Sequence, residues 1–191
     1  MRHSRSRLLL AASVLVASAS VVLAGVASGK PIDSGQFHDE GTFVVENFCD
    51  VPGLTVDGEF VVDGRFRVTT HGRDQLIYFM EHVLATSVLT NRANGESVTV
   101  VSKVLNKDLK VTDNGDGTLT VLFLATGNDV VYGPDGRPIA RNPGQIRIEF
   151  LIDHNGTPLD PFDDEVISEE VVKESTGRSD DFCGAVVPAI T

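Results

Sequence analysis

The chain has no tryptophan, and its two tyrosines and ten phenylalanines make aromatics only 6% of 191 residues. That scarcity argues against the aromatic platforms on which bases or sugars stack. Positive charge is also short, with 16 Lys and Arg against 27 Asp and Glu and a formal net charge of -11. So acidic a surface is repelled by nucleic acid and by anionic membranes, and neither is expected as a partner. Catalytic signatures are missing too: there is no G-x-S-x-G, no S-x-x-K, no P-loop and no HExxH, which lowers the odds of the common hydrolases and nucleotide enzymes. His38, His71, His82 and His154 are scattered, with no His-x-His on one strand face, so no metal site and no cofactor is expected.

What is present begins with an address. In "MRHSRSRLLLAASVLVASASVVLAGVASG", Arg2, Arg5 and Arg7 precede an apolar run from Leu8 to about Ala27 that ends in small residues. This is the pattern of a secretory signal peptide spanning residues 1-28, cut after Ala24 or Ser28. A retained membrane anchor is the alternative, because about 20 apolar residues can span a bilayer. Ser13, Ser18 and Ser20 dilute the run and favour cleavage. Losing the three arginines takes the formal charge from -11 to -14. The protein is therefore expected to be secreted, with no membrane association after the cut.

The two cysteines, Cys49 in "NFCDVPG" and Cys183 in "DDFCGAVVP", are expected to pair in an oxidising compartment and to tie the start of the fold to its end. A catalytic thiol is the sharper alternative, but neither has a histidine close in sequence.

Residues 29-41, "GKPIDSGQFHDEG", are small and polar and read as a flexible arm ahead of a single domain spanning 42-191. The period then becomes two. Leu54, Val56, Phe60, Val62, Phe66 and Val68 share one face, and Thr55, Asp57, Glu59, Asp63, Arg65 and Arg67 take the other. That is a long half-buried strand, with Gly58 and Gly64 on its apolar side, where missing side chains let a strand bend. "QIRIEFLID" repeats the alternation, with Ile146, Ile148, Phe150 and Ile152 inward. In "SVTVVSKVLNKDLKV" the apolar phase shifts, which predicts a β-bulge near Val104 to Lys107. Pro134-Asp135-Gly136 and Asn142-Pro143-Gly144 read as turns. "DEVISEEVVKES" reads as a last strand, and "SDDFCGAVVP" as a short helical turn capped by Ser179 or Asp180 and ended by Pro188. The sum is a mainly β fold, an antiparallel meander of about seven or eight strands in a closed or nearly closed barrel.

"VTDNGDGTLTV" looks like a calcium loop and fails as one. With Asn114, Asp116 and Gly117 at positions 3, 5 and 6, the end positions fall on Thr112 and Phe123, neither a carboxylate. A hairpin loop of odd length instead pairs Val111 with Leu119 and Leu109 with Val121, keeping one face apolar. The acidic run Asp160, Asp163, Asp164 and Glu165 reads as a solvated loop, with loose cation binding as its alternative.

The segments "GRDQLIYFMEHV", "NKDLKVTDNGDGTLTV", "ATGNDVVYGPDGRPIARNPGQ" and "STGRSDDFC" together resemble a group of secreted actinobacterial proteins of unknown function, over about residues 43-191. The resemblance implies a bacterial source and supplies no catalytic residue.

Three functions remain open. The leading one is non-enzymatic binding of a small apolar or amphipathic ligand, with Phe60, Phe66, Tyr78, Met80, His82 and Phe123 lining a barrel interior. The second is a small-barrel isomerase or cyclase using His82 as acid or base with Glu81 or Asp74 nearby. The third is an extracellular interaction scaffold acting through the acidic loops around Asp113 and Asp163. No oligomeric state is read from the pattern.

Overall fold

The computed structural model describes residues 31-191 apart from Phe162. The expected signal segment, residues 1-28, lies outside the described residues, as do Gly29 and Lys30 of the expected arm. Seven strands follow in order: β1 (Pro31–Val45), β2 (Val56–His71), β3 (Leu76–Asn91), β4 (Ser97–Asp113), β5 (Thr118–Tyr132), β6 (Pro138–Asp153) and β7 (Glu165–Lys173); a helix, α1 (Phe182–Ile190), ends the chain. Each strand pairs antiparallel with the next in sequence, giving one sheet in the order β1 to β7.

The meander is as expected, but the sheet is open: β1 pairs only with β2, and β7 only with β6. One reason lies in the length of β7, which is 9 residues against 15 to 17 for the other strands. It covers only residues 147-153 of β6. The chain then leaves the ladder, and Asp180 donates its N–H to the Arg141 carbonyl at 3.2 Å on the way into α1. The helix packs on one face of the sheet, against β4 and β6 among others.

Residues directly opposite on neighbouring strands point to the same side of a sheet. The register therefore sorts side chains into two faces. Gly58, Leu89 and Val98 align across β2, β3 and β4, and Val100, Val131 and Ala140 align across β4, β5 and β6. Val56, Leu89, Val98, Val131 and Ala140 are buried beneath Val186 and Ile190 of α1, with Phe48 and Leu54 closing the side. This side is called the helix face below. Cys183 in the first turn of α1 is bonded to Cys49, with 5.6 Å between Cα atoms. The other end of the helix is held by Asn91, whose Nδ2 donates to the Ile190 carbonyl at 2.8 Å.

The expected arm is the first correction. Pro31–Val45 is a full strand paired along β2. Its apolar content is low, and what binds it is complementarity: Gly35 opposes Phe66, Phe37 opposes Gly64, Gly41 opposes Phe60 and Phe43 opposes Gly58. Each ring lies over the glycine across from it, and a Cβ at Gly35 would stand 2.7 Å from the Phe66 ring. Glycines in a strand expose backbone and lose packing, and an aromatic ring laid over each one restores both.

Four smaller differences have local causes. Asn142-Pro143-Gly144 is not a turn but runs within β6. Pro143 is tolerated there because its carbonyl faces Gly177 and not β5, so the missing N–H falls on the side of β6 that β7 does not reach. The bulge in β4 falls between Asp108 and Lys110, just beyond the expected place. In the 113-119 hairpin, Val111 pairs with Val121 and Asp113 with Leu119. The loop is odd as expected, but the register has moved two residues, which leaves every side chain on its face. Asp181, not Ser179 or Asp180, caps α1 by accepting from the Gly184 N–H, and the helix continues through Pro188.

Candidate functional site

The register confines the strand cations to one face and leaves acids on both. On the helix face the strands carry Asp33, Asp39, Glu81, Asp108, Asp113, Asp129 and Glu169, and no Lys or Arg. Every strand Lys and Arg, from Arg65 and Arg67 in β2 to Lys173 in β7, projects from the opposite face. A cleft of about 510 Å³ opens on the helix face at the end of the sheet away from α1. Phe37, Phe66, Val68, Ile77 and Phe79 form its walls, Pro161 of the β6–β7 connection closes over it, and Asp33 and Glu81 are its charged groups.

The carboxylates on this face are held in defined places. Glu81 accepts from Asn106 Nδ2 at 2.8 Å, its neighbour across β3 and β4. Asp108 accepts the Phe79 N–H at 2.7 Å where β3 and β4 part company. Burial pushes the Asp108 carboxyl up to about 6, against the opposing pull of that hydrogen bond. Ser102 donates to Asp129 at 2.5 Å further down the same face. Beside the cleft, the rings of Phe123 and Phe150 meet edge to face at 5.8 Å. An apolar cleft rimmed by carboxylates with no competing cation is suited to an amphipathic molecule carrying positive charge.

The six residues expected to line one interior divide between the faces. Phe60, Phe66 and Phe123 lie on the helix face, and Phe66 lines the cleft. Met80 and His82 stand opposite Arg67 and Arg65 and belong to the other face, whereas Tyr78, opposite Thr69, packs at the end of the sheet against Val111, Leu119 and Val121. The cause is β3 itself, where Ile77, Phe79 and Val83 compete with Tyr78, Met80 and Leu84, so alternation does not fix the phase. Tyr78 is used structurally: its hydroxyl accepts the Val111 N–H at 3.0 Å, and its ring packs edge-on to His71 at 4.6 Å.

His82, Glu81 and Asp74 are not brought together. Glu81 and His82 point to opposite faces, and Asp74 sits in the exposed β2–β3 turn. The one imidazole with a carboxylate partner in the strands is His38, which the sequence did not single out. Its Nδ1 lies 2.8 Å from Asp63, and the hydrogen bond and charge of Asp63 raise its pKa. Both groups are exposed, so this is a surface pair.

In the "DNGDG" loop the carboxylates serve the turn: Asp113 accepts from the Gly115 N–H and Asp116 from the Thr118 N–H. Asp163 accepts from the Thr157 hydroxyl at 2.6 Å. Among the described residues no three His, Cys, Asp or Glu stand together as a metal site. Phe37, Val68, Ile77, Phe79 and Asp33 are the cleft residues that sequence reasoning missed. Phe79 and Ile77 needed the true phase of β3, and Phe37 and Asp33 needed β1 to be recognised as a strand.

No protein-family model, curated protein or solved structure matches the chain. The disulfide and the lack, among the described residues, of a helix able to cross a membrane are both compatible with export.

Proposed function

We propose that this is a secreted, non-enzymatic binding protein that holds a small amphipathic cation in the cleft of its curled, barrel-like sheet. The observation that carries this reading is the pairing of apolar walls with carboxylates: Phe37, Phe66, Val68, Ile77 and Phe79 surround Asp33 and Glu81 on a face without a single strand Lys or Arg. The walls would take an alkyl or aromatic body, and the carboxylates would take an ammonium or guanidinium head. The signal pattern and the resemblance to secreted actinobacterial proteins of unknown function support an extracellular setting. Native mass spectrometry of protein taken from its own culture medium tests occupancy, and calorimetry with decyltrimethylammonium tests charge preference. A retained adduct, or saturable binding of the cation that is stronger than that of neutral decanol, is expected. An empty protein that binds neither, or prefers the neutral alcohol, rejects it.

A further inference from the structure

The face turned away from α1 carries every strand Lys and Arg, together with acids such as Asp57, Glu59, Asp63, Glu149 and Glu170. One rung of the sheet runs Arg67, Met80, Lys107, Leu124, Arg147, Lys173 across β2 to β7. From β2 to β6 cations alternate with apolar side chains, and at about 4.8 Å between strands these three cations are spaced by roughly 10 Å, with Lys173 directly beside Arg147. The next rung places Arg65 opposite His82 and Leu105, and the one after places Lys103 opposite Leu84. In a chain of net charge -11 this concentration is not what composition alone would scatter.

The cations are also uncommitted. Among the described residues, ion pairs tie up His38, Arg92, Arg137 and Arg178, and none involves Arg65, Arg67, Lys103, Lys107 or Arg147. Arg147 Nε is buried without a hydrogen-bond partner. Asp63 stands on this face opposite Leu84 and is engaged by His38, and Glu149 and Glu170 pair on it two residues along from Arg147. Asp108, at the bulge of β4, borders a groove beside Lys107, where its carboxylate accepts the Phe79 N–H.

The surface here is furrowed. A hollow of about 670 Å³ is lined by Arg65, His82, Leu84, Lys103 and Leu105, with the His38–Asp63 pair at its border. It shares Arg65 and His82 with a second of about 540 Å³, which adds Arg67 and Met80. That one shares Arg67 and Met80 with a third of about 210 Å³ reaching Tyr78 and Lys107. From Leu84 to Tyr78 the groove follows six strand steps, roughly 20 Å.

We infer that this groove is a second binding site, for a free anionic amphiphile: the head would sit among Arg65, Arg67 and Lys107, and the apolar chain along Met80, Leu84 and Leu105. A purely polar anion would leave those three side chains unused, and a neutral lipid would leave the cations unpaired. The site lies on the side of the sheet opposite the helix-face cleft, and Phe37, Phe66 and Phe79 border both.

Decanoate, titrated below its micelle range against methyl-labelled protein, tests the inference. The methyl signals of Met80, Leu84 and Leu105 should shift saturably while those of Val68 and Ile77 stay in place. The exposed double variant R65Q/R67Q should weaken decanoate binding about tenfold or more and leave decyltrimethylammonium binding unchanged. Shifts at Val68 and Ile77 instead, equal binding by R65Q/R67Q, equal competition by inorganic phosphate alone, or attachment only to anionic vesicles would each overturn it. Loss of cation binding with decanoate binding intact would reject the cleft and leave the groove standing.

Discussion

The ring of Phe37 in β1 lies over Gly64 in β2, and a Cβ at residue 64 would fall inside the space that the ring occupies. This pair, repeated at Phe43 and Gly58, attaches an edge strand that has little apolar surface of its own. Gly64→Ala should lower stability by about 1 kcal/mol or more by displacing the ring. In a Phe37→Ala background the same change should become neutral or stabilising by roughly 0.5 kcal/mol, because alanine then only restricts the unfolded chain. Urea midpoints of the four proteins decide the point, and additive losses would refute the ring-on-glycine account.

The bond between Cys49 and Cys183 closes a sequence separation of 134. Chain entropy assigns such a closure roughly 4 to 5 kcal/mol, of which engineered cases often show less. The Cys49→Ser/Cys183→Ser variant should lose about 2 to 5 kcal/mol in urea unfolding. Amide exchange should rise first in α1, since the bond sits in its first turn.

Asn91 is buried at the far end of the helix, donating to Ile190 and accepting from the Ala93 N–H at 2.9 Å. Removing the amide takes the acceptor from the Ala93 N–H and leaves the Ile190 carbonyl to Asn94 Nδ2 alone, a loss of about 1 kcal/mol or more. Asn91→Ala should show that loss. Asn91→Asp should lose more at neutral pH, since a carboxylate would face the Ile190 carbonyl oxygen.

Asp108 makes stability depend on pH in an unusual direction for a carboxyl. Its pKa in the folded protein, about 6, lies above the ordinary aspartate value of 3.8, so the native state binds the proton more tightly than the unfolded chain. Its contribution is fully present below about pH 4 and is lost as pH rises through 6. Asp108→Asn keeps an acceptor for Phe79 and removes the buried charge. The variant should gain on the order of 2 kcal/mol at pH 8 and nothing near pH 4; urea midpoints at the two pH values provide the check.

Much of this was legible in the chain itself, and the failures share a cause. β2 and β6 show their faces because Val56 to Val68 and Ile146 to Ile152 alternate cleanly with polar neighbours. The odd hairpin at 113-119 was readable from phase alone. β1 was not, because its stability lies in glycines and rings that match those of β2 only when the strands are set side by side. β3 is apolar on both faces and cannot announce which one is covered, so part of the expected cavity was drawn on the wrong side. The confinement of the cations to one face was present in the parity of Arg65, Arg67 and Arg147, yet its extent emerges only when registers join β2 to β7 into one rung.

The central claim, that apolar walls and carboxylates on the helix face form a site for an amphipathic cation, is tested most directly by methyl NMR with decyltrimethylammonium. The Val68 and Ile77 methyls should shift saturably, Met80, Leu84 and Leu105 should not, and Glu81→Gln should weaken the binding about fivefold to tenfold. Absence of saturable shifts at Val68 and Ile77, or shifts of equal affinity in Glu81→Gln, would contradict it.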